Sequence, residues 1–445
     1  VHDTLDDTPA VPASRPLHVA SIVTLCFTFP LIFLGGLVTS HGAGMSVPDW
    51  PNSYGYNMFF FPVSRWVGGI FYEHTHRLLG TVVGFCATVM TLIAWSPART
   101  GRGRRILLWT LIGLEAVNAI GTVGMWLFPG AFRLPETARS ARAIFPQGAV
   151  TATGIGLTIA VAWLCRTREP RRWVRWLATG SLIAVCVQGL LGGMRVDLAN
   201  LTLAIVHGCF AQLTFCLILL TSIVTGRWWR SSQFTAFGGR PEGARTGAPS
   251  GRPVNGSAAL TALAFVTTAV IYAQLIIGAI MRHNGAGLAI PDLPLAYGHW
   301  LPPTNAAQLA VDNHWRVWNL GLEPVTLPQV WIHYAHRVGA LVVSAFVIAL
   351  AGCILIRRSG GGVAGPARTM LVLLAAQVTL GVCTVHYGKP ADIASAHVAT
   401  GALLLATAVL IAVRTARLRS APAGASAVLN GIGVKQSRAR SVLAQ

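Results

Sequence analysis

The chain has 445 residues, 53% of them apolar and 11% charged, with a mean hydropathy of +0.58. That charged fraction is less than half the soluble norm of about 25%, which excludes an ordinary soluble domain and predicts an all-α polytopic membrane protein. The net charge of +20 does not imply nucleic acid as a partner, because the arginines fall in alternate loops and no basic face interleaves with aromatics.

The first 16 residues are polar, with Asp3, Asp6 and Asp7, and show no cleavable signal peptide. Ten apolar runs follow, each long enough to cross roughly 30 Å of hydrocarbon. They lie at about 17–38, 71–95, 105–128, 147–166, 174–194, 201–224, 257–281, 331–356, 367–387 and 393–414. Arg99, Arg102, Arg104 and Arg105 share one short loop, and Arg166, Arg168, Arg171 and Arg172 the next on the same side. Arg357, Arg358 and Arg368, then Arg414, Arg417 and Arg419, continue that side. It is therefore expected to be cytoplasmic, with both termini inside a multi-pass protein of the inner (cytoplasmic) membrane. The predicted organisation is a tail 1–16, a first bundle 17–225, a Gly/Ser/Pro/Arg-rich linker 226–256, a second bundle 257–415 and a disordered tail 416–445. All eight cysteines sit in or beside apolar runs, none in CxxC, and read as packing residues.

The two halves repeat. Gly42-Ala43-Gly44 returns as Gly285-Ala286-Gly287, and Pro48-Asp49-Trp50-Pro51 as Pro291-Asp292-Leu293-Pro294. Glu73-His74-Thr75-His76-Arg77 returns as His333-Tyr334-Ala335-His336-Arg337. Gln188-Gly189-Leu190-Leu191-Gly192 returns as Gln377-Val378-Thr379-Leu380-Gly381, and a lone His207 as His397. From Arg77 to Gln188 is 111 residues, against 40 from Arg337 to Gln377. The first half thus carries an insertion of two helices, placed at about 105–166. Without it each half is a four-helix bundle of the same orientation, a parallel repeat.

His76 and His336 lie about two turns inside the outer ends of their helices, and His207 and His397 at similar depth. At about 1.5 Å of rise per residue, all four sit on the order of 10 Å into the membrane. Two histidines at one level on two helices of a bundle form the geometry that grips a haem iron from both faces. Gly80, Gly339 and Gly401 follow on the same faces and suit the approach of a flat macrocycle. Arg77 and Arg337, and also Arg195 and Arg282, lie at outer helix ends where guanidinium groups pair with propionates. His74, two residues from His76, points elsewhere and reads as interfacial.

The halves differ at one telling place. Glu73 is one turn outward of His76, and the second half has His333 there. A carboxylate so near the iron can stabilise positive charge or move protons, so the first half reads as reactive and the second as supportive. Two other readings stay open: a bis-histidine dihaem cytochrome without catalysis, and a parallel-repeat transporter. Against the transporter, no matched pair of Pro-broken helices is seen.

This ordered set resembles the haem A synthase family. The resemblance rests on Glu73-x-x-His76-Arg77, His336-Arg337, the Gln-x-x-Leu-Gly helices, His207, His397 and the Gly-Ala-Gly…Pro-Asp-x-Pro loops, and covers most of 17–415 outside the insertion. It implies an oxidoreductase that converts a methyl group of haem O to the formyl group of haem A, destined for haem–copper oxidases. It implies substrate haem on His76 and His207, haem b on His336 and His397, and a catalytic role for Glu73. Implied partners are the bilayer, a supplier of haem O, haem–copper oxidase assembly factors and an electron donor of unknown identity, with a homo-oligomer left open. Two differences stand out: the segment Ser46–Tyr56 lacks the cysteine pair that some members of the family carry in the first outer loop, and the two-helix insertion is extra.

Overall fold

The structure, a computed structural model, describes residues 15–56, 58–96, 169–229, 257–357 and 362–419. The chain divides into two compact units, Val1–Thr225 and Gly226–Gln445. Unit one holds α1 (Arg15–Ser40), α2 (Gly68–Trp95), α3 (Arg172–Asp197) and α4 (Leu201–Thr225). Unit two holds α5 (Ala258–His283), a short α6 (Ala306–Leu320), α7 (Leu327–Ile356), α8 (Ala364–His386) and α9 (Ala391–Arg419). All of these except α6 are long and apolar enough to span a membrane. The protein is an all-α polytopic membrane protein. The two spans expected in the insertion, at about 105–166, and the predicted linker lie outside the described residues.

In unit one α1 packs on α2 and α4, and α3 on α2 and α4, so the four helices close into a ring. In unit two α5 packs on α7 and α9, and α8 on α7 and α9, in the same cyclic order. The sequence explains how such apolar helices seal. Along α1 the buried positions Leu17, Ser21, Thr24, Thr28 and Ile32 recur every three or four residues, so one face meets its neighbours. The hydroxyls of Thr24 and Thr28 turn back to the carbonyls of Ala20 and Thr24, both at 2.7 Å. Both hydroxyls thus spend their hydrogen bond within the helix. On α9 the buried residues include Ala399, Gly401, Ala402, Ala406, Ala408 and Ala412; small side chains let helices approach closely where lipid supplies no hydrophobic drive.

One element was not foreseen. Residues 282–330, between the expected spans 257–281 and 331–356, contain α6, capped by the Asn305 side chain accepting from Gln308 N–H at 3.0 Å and ended by Gly321 at φ 61°. Its buried Arg316 donates from Nε to Glu323 O and from Nη1 to Leu288 O, each at 2.6 Å. This pins α6 onto the loop core of Ala286, Ala289, Ile290 and Val325.

Candidate functional site

Each ring of helices carries one pair of facing histidines. His76 on α2 meets His207 on α4 with ring centres 6.5 Å apart and planes at 78°. His336 on α7 meets His397 on α9 at 6.3 Å and 72°. The sequence pairing is therefore the spatial pairing.

The spacing tests whether a haem iron fits. Imidazole nitrogen binds a metal at about 2.0 Å. The atoms of a five-membered ring with bonds near 1.35 Å lie about 1.15 Å from its centre. Two axial imidazoles on one iron thus place their ring centres about 6.3 Å apart, and both pairs match. Among the described residues no three His, Cys, Asp or Glu side chains converge on one point, so a bare ion finds no cage. A macrocycle that brings four equatorial nitrogens leaves two axial positions, and each bundle offers two imidazoles for them.

Each histidine is seated on a glycine of the preceding span. A methyl group placed on Gly35 of α1 would come 3.0 Å from His76 Cε1, and one on Gly192 of α3 3.1 Å from His207 Cε1. On Gly278 of α5 it would come 2.9 Å from His336 Cε1, and on Gly381 of α8 3.1 Å from His397 Cε1. Any side chain there would push the ring. The sequence analysis had singled out other glycines. Gly339 faces the Gln274 amide, and Gly401 faces Leu275 and Gln377. Only Gly80 of that set has open space at its Cβ position.

Glutamines sit against three of the four histidines, two of them at the ring. Gln274 Nε2 donates to the His336 backbone carbonyl at 2.7 Å and lies 3.0 Å from its Nδ1. Gln188 Nε2 donates to the His207 carbonyl at 3.1 Å. Gln377 offers its backbone carbonyl to His397 Nδ1 at 3.1 Å, and its side-chain amide lies 3.4 Å from His397 Nε2. At His397 the carbonyl on Nδ1 fixes the tautomer whose Nε2 carries the lone pair, whereas at His336 the Gln274 amide meets Nδ1 as a donor.

Arg77 and Arg337 have another principal task than the propionates suggested for them. Arg77 Nη1 donates to Asp49 O (2.6 Å) and Asn52 O (3.0 Å), and Nη2 to Val47 O (2.7 Å) and Glu73 Oε1 (2.8 Å). Arg337 Nη1 donates to Asp292 O (2.8 Å) and Leu295 O (2.9 Å), and Nη2 to Ile290 O (2.8 Å). Each thus fastens the preceding loop to the helix that carries the histidine. The loops match in detail. Asp49 accepts from Tyr54 N–H and Gly55 N–H at 2.7 and 2.8 Å, as Asp292 does from Tyr297 and Gly298 at 2.8 and 2.9 Å. Tyr54 and Tyr297 both take positive φ, 52° and 54°.

Glu73 and His333, both 3% exposed, are the corresponding members of this lock. Glu73 Oε2 accepts from Val47 N–H at 2.9 Å while Oε1 takes the Arg77 guanidinium. His333 Nδ1 faces Ile290 N–H at 3.2 Å, and its Nε2 faces Arg337 Nε at 3.2 Å. A carboxylate serves both donors; a neutral imidazole accepts at one nitrogen only. The carboxylate lies one turn along α2 from His76, as the sequence implied. His74, two residues from His76, points away from the histidine pair. It is fully buried, 3.2 Å from Ser53 Oγ through Nδ1, with Phe61 and Trp66 against its ring.

Fold and site together define a helical membrane protein with a pair of facing histidines inside each of two four-helix bundles. A family model described as "Cytochrome oxidase assembly protein" (COX15-CtaA) matches residues 149–409. The chain belongs to that family. It is similar to a haem A synthase of Rhizorhabdus wittichii, 21% identical over 429 residues that span 89% of this chain and 94% of that protein. A haem A synthase of Symbiobacterium thermophilum is 28% identical over 263 residues, 58% of this chain and 74% of its own. One of Rhodopseudomonas palustris is 26% identical over 340 residues, 76% and 67% respectively.

Proposed function

We propose that the chain is a haem A synthase, an oxidoreductase that turns a methyl group of haem O into the formyl group of haem A. The observation that carries the reading is the duplicated histidine pair at iron-spanning distance, in a chain whose relatives bear that name. In this reading His76 and His207 hold the substrate haem and orient its reacting edge. His336 and His397 hold a haem b, which supplies one-electron redox chemistry when bound. Glu73 is the catalytic carboxylate: Arg77 and Val47 N–H hold it in place, one turn from His76. Arg77 and Arg337 act on bound haem through the loops they fasten, and Arg195 and Arg282, at the ends of α3 and α5, are the cations that would pair with propionates. Arg195 is already oriented by its bond to Gly44 O at 2.6 Å. The loops of residues 41–67 and 284–326 face outward and both termini face the cytoplasm, following the arginine bias. The product goes to haem–copper oxidase assembly.

A dihaem electron carrier is the second reading, favoured by how closely the two pairs agree in spacing. Co-expression with a haem O source separates the two. Wild type should accumulate haem A, and His76→Ala and His207→Ala should not. Haem A formed undiminished in both variants would end the synthase assignment to this site.

A further inference from the structure

The first outer loop lays a large ring against its bundle where the second has none. On α3, Gly193 follows Gly192, the seat of His207, and is buried with the indole of Trp50 lying across it. A methyl group placed on Gly193 would come 2.6 Å from Trp50 Cε2 and 2.8 Å from Cε3, and closer still to Cδ2. Only glycine therefore leaves the indole where it is. The backbone of the same segment is tied on the other side: Arg77, which directly follows His76, donates to Asp49 O at 2.6 Å. Trp50 thus runs from the helix of one histidine to the seat of the other. Along α3, Gly193 lies about 1.5 Å outward of Gly192, so the indole stands on the outer side of the pocket, near the height of the histidine pair. Arg195 fastens the loop beside it through Gly44 O at 2.6 Å. By the repeat, Trp50 corresponds to Leu293 and Gly193 to Val382. Val382 is 46% and Leu293 41% exposed, so Val382 is not covered as Gly193 is.

We infer that Trp50 is a positioning residue that walls the outer side of the first haem pocket and holds water off the macrocycle edge, and that position 193 is glycine to admit it. An indole is large, flat and mostly apolar, so one side chain covers much surface at little cost in freedom. Excluding water strengthens every electrostatic interaction inside a site, including that of Glu73 with charge developing at the reacting edge. The apolar shell of a metal site also sets solvent access, and with it the redox potential. A haem that is oxidised at its edge needs a dry edge; a haem that only relays electrons does not. The wall stands on the bundle read as reactive and is missing from its repeat. The inference rests on the proposed binding of substrate haem between His76 and His207.

The test uses the full chain in detergent, with haem in both bundles and the midpoint potential of each read by optical redox titration. His207→Ala removes the first haem and so assigns its wave. Trp50→Leu, the residue of the second loop, should lower the first potential, because water stabilises the charged ferric state. A tenfold change in the ferric/ferrous ratio is about 59 mV for one electron, and the second potential should not move. Gly193→Val expels the indole and should shift the first wave in the same sense. Trp50→Phe keeps a flat apolar ring and should stay near wild type. In the second bundle, Leu293→Trp with Val382→Gly should raise the second potential. A first wave unmoved by both Trp50→Leu and Gly193→Val, with two haems still bound, would overturn the wall and leave the haem sites standing. Both waves shifting together in Trp50→Leu would mark a general disturbance and overturn it as well. Two haems retained by His207→Ala, or none bound by wild type, would instead overturn the reading on which the wall rests.

Discussion

Exchanging Glu73 for histidine places in the first bundle the residue the second bundle uses at the same point of its lock. Glu73 takes two donors, Val47 N–H at 2.9 Å and Arg77 Nη2 at 2.8 Å. A neutral imidazole takes one, so Glu73→His forfeits one charge-assisted hydrogen bond, about 1.5–3 kcal/mol. Arg77 keeps its three carbonyl partners, so the loop should stay folded. Glu73→Ala forfeits both bonds and leaves a buried guanidinium without its counter-charge, about 3–5 kcal/mol. Three readouts apply: protease sensitivity of residues 41–67, haem content, and haem A formed in cells supplied with haem O. Glu73→His should keep the loop protected and both haems bound, yet lose about 10²–10⁴-fold in turnover if the carboxylate moves protons or charge at the reacting edge. Glu73→Ala should also open the loop. Turnover of Glu73→His within a few-fold of wild type would refute the chemical role and leave Glu73 as an anchor only.

Further outcomes follow from the same geometry. Gly278→Ala puts a methyl group 2.9 Å from His336 Cε1; it should displace the ring and lower haem content toward one per chain, which extraction and weighing of the haems would register. Arg316→Leu strands the carbonyls of Glu323 and Leu288, costing about 2–4 kcal/mol of loop stability. Proteolysis within residues 284–326 should accelerate while the histidine pairs stay intact. His333→Glu gives the second lock an acceptor for both donors, and protection of that loop should increase; unchanged or weaker protection would contradict the account of the lock.

The parts of the site that one helix can display were legible in the sequence. His76, His207, His336 and His397 could be picked out because a duplicated polar residue inside an apolar run needs a reason, and equal depth gave them partners. The Glu73/His333 difference was legible for the same reason. The glycine seats were not, because Gly35 or Gly278 matters through a ring on another helix, and only Gln188…Gly192 and Gln377…Gly381 had been noticed as repeats. Arg77 and Arg337 were read toward propionates because a guanidinium pairs as readily with carboxylates as with carbonyls, and a sequence does not say which lies nearer. That His74 points away from the pair was legible from its angle on α2; that Phe61 and Trp66 cover it was not, because no local pattern foretells a loop folding back over a helix. The helix α6 carried its own signals, the Asn305 cap and Gly321, but its apolar content is too small for a search tuned to membrane spans.

The central claim is that each bundle grips one haem between two histidines and that the first of these haems is the substrate. The most direct measurement is to purify the full chain in detergent, extract its haems and identify them by chromatography and mass. The account predicts haem b together with haem O, haem A or a hydroxylated form between them, with His336→Ala losing only the haem b. Haem b alone at two per chain would contradict the substrate assignment, and no haem at all would contradict the histidine pairs themselves.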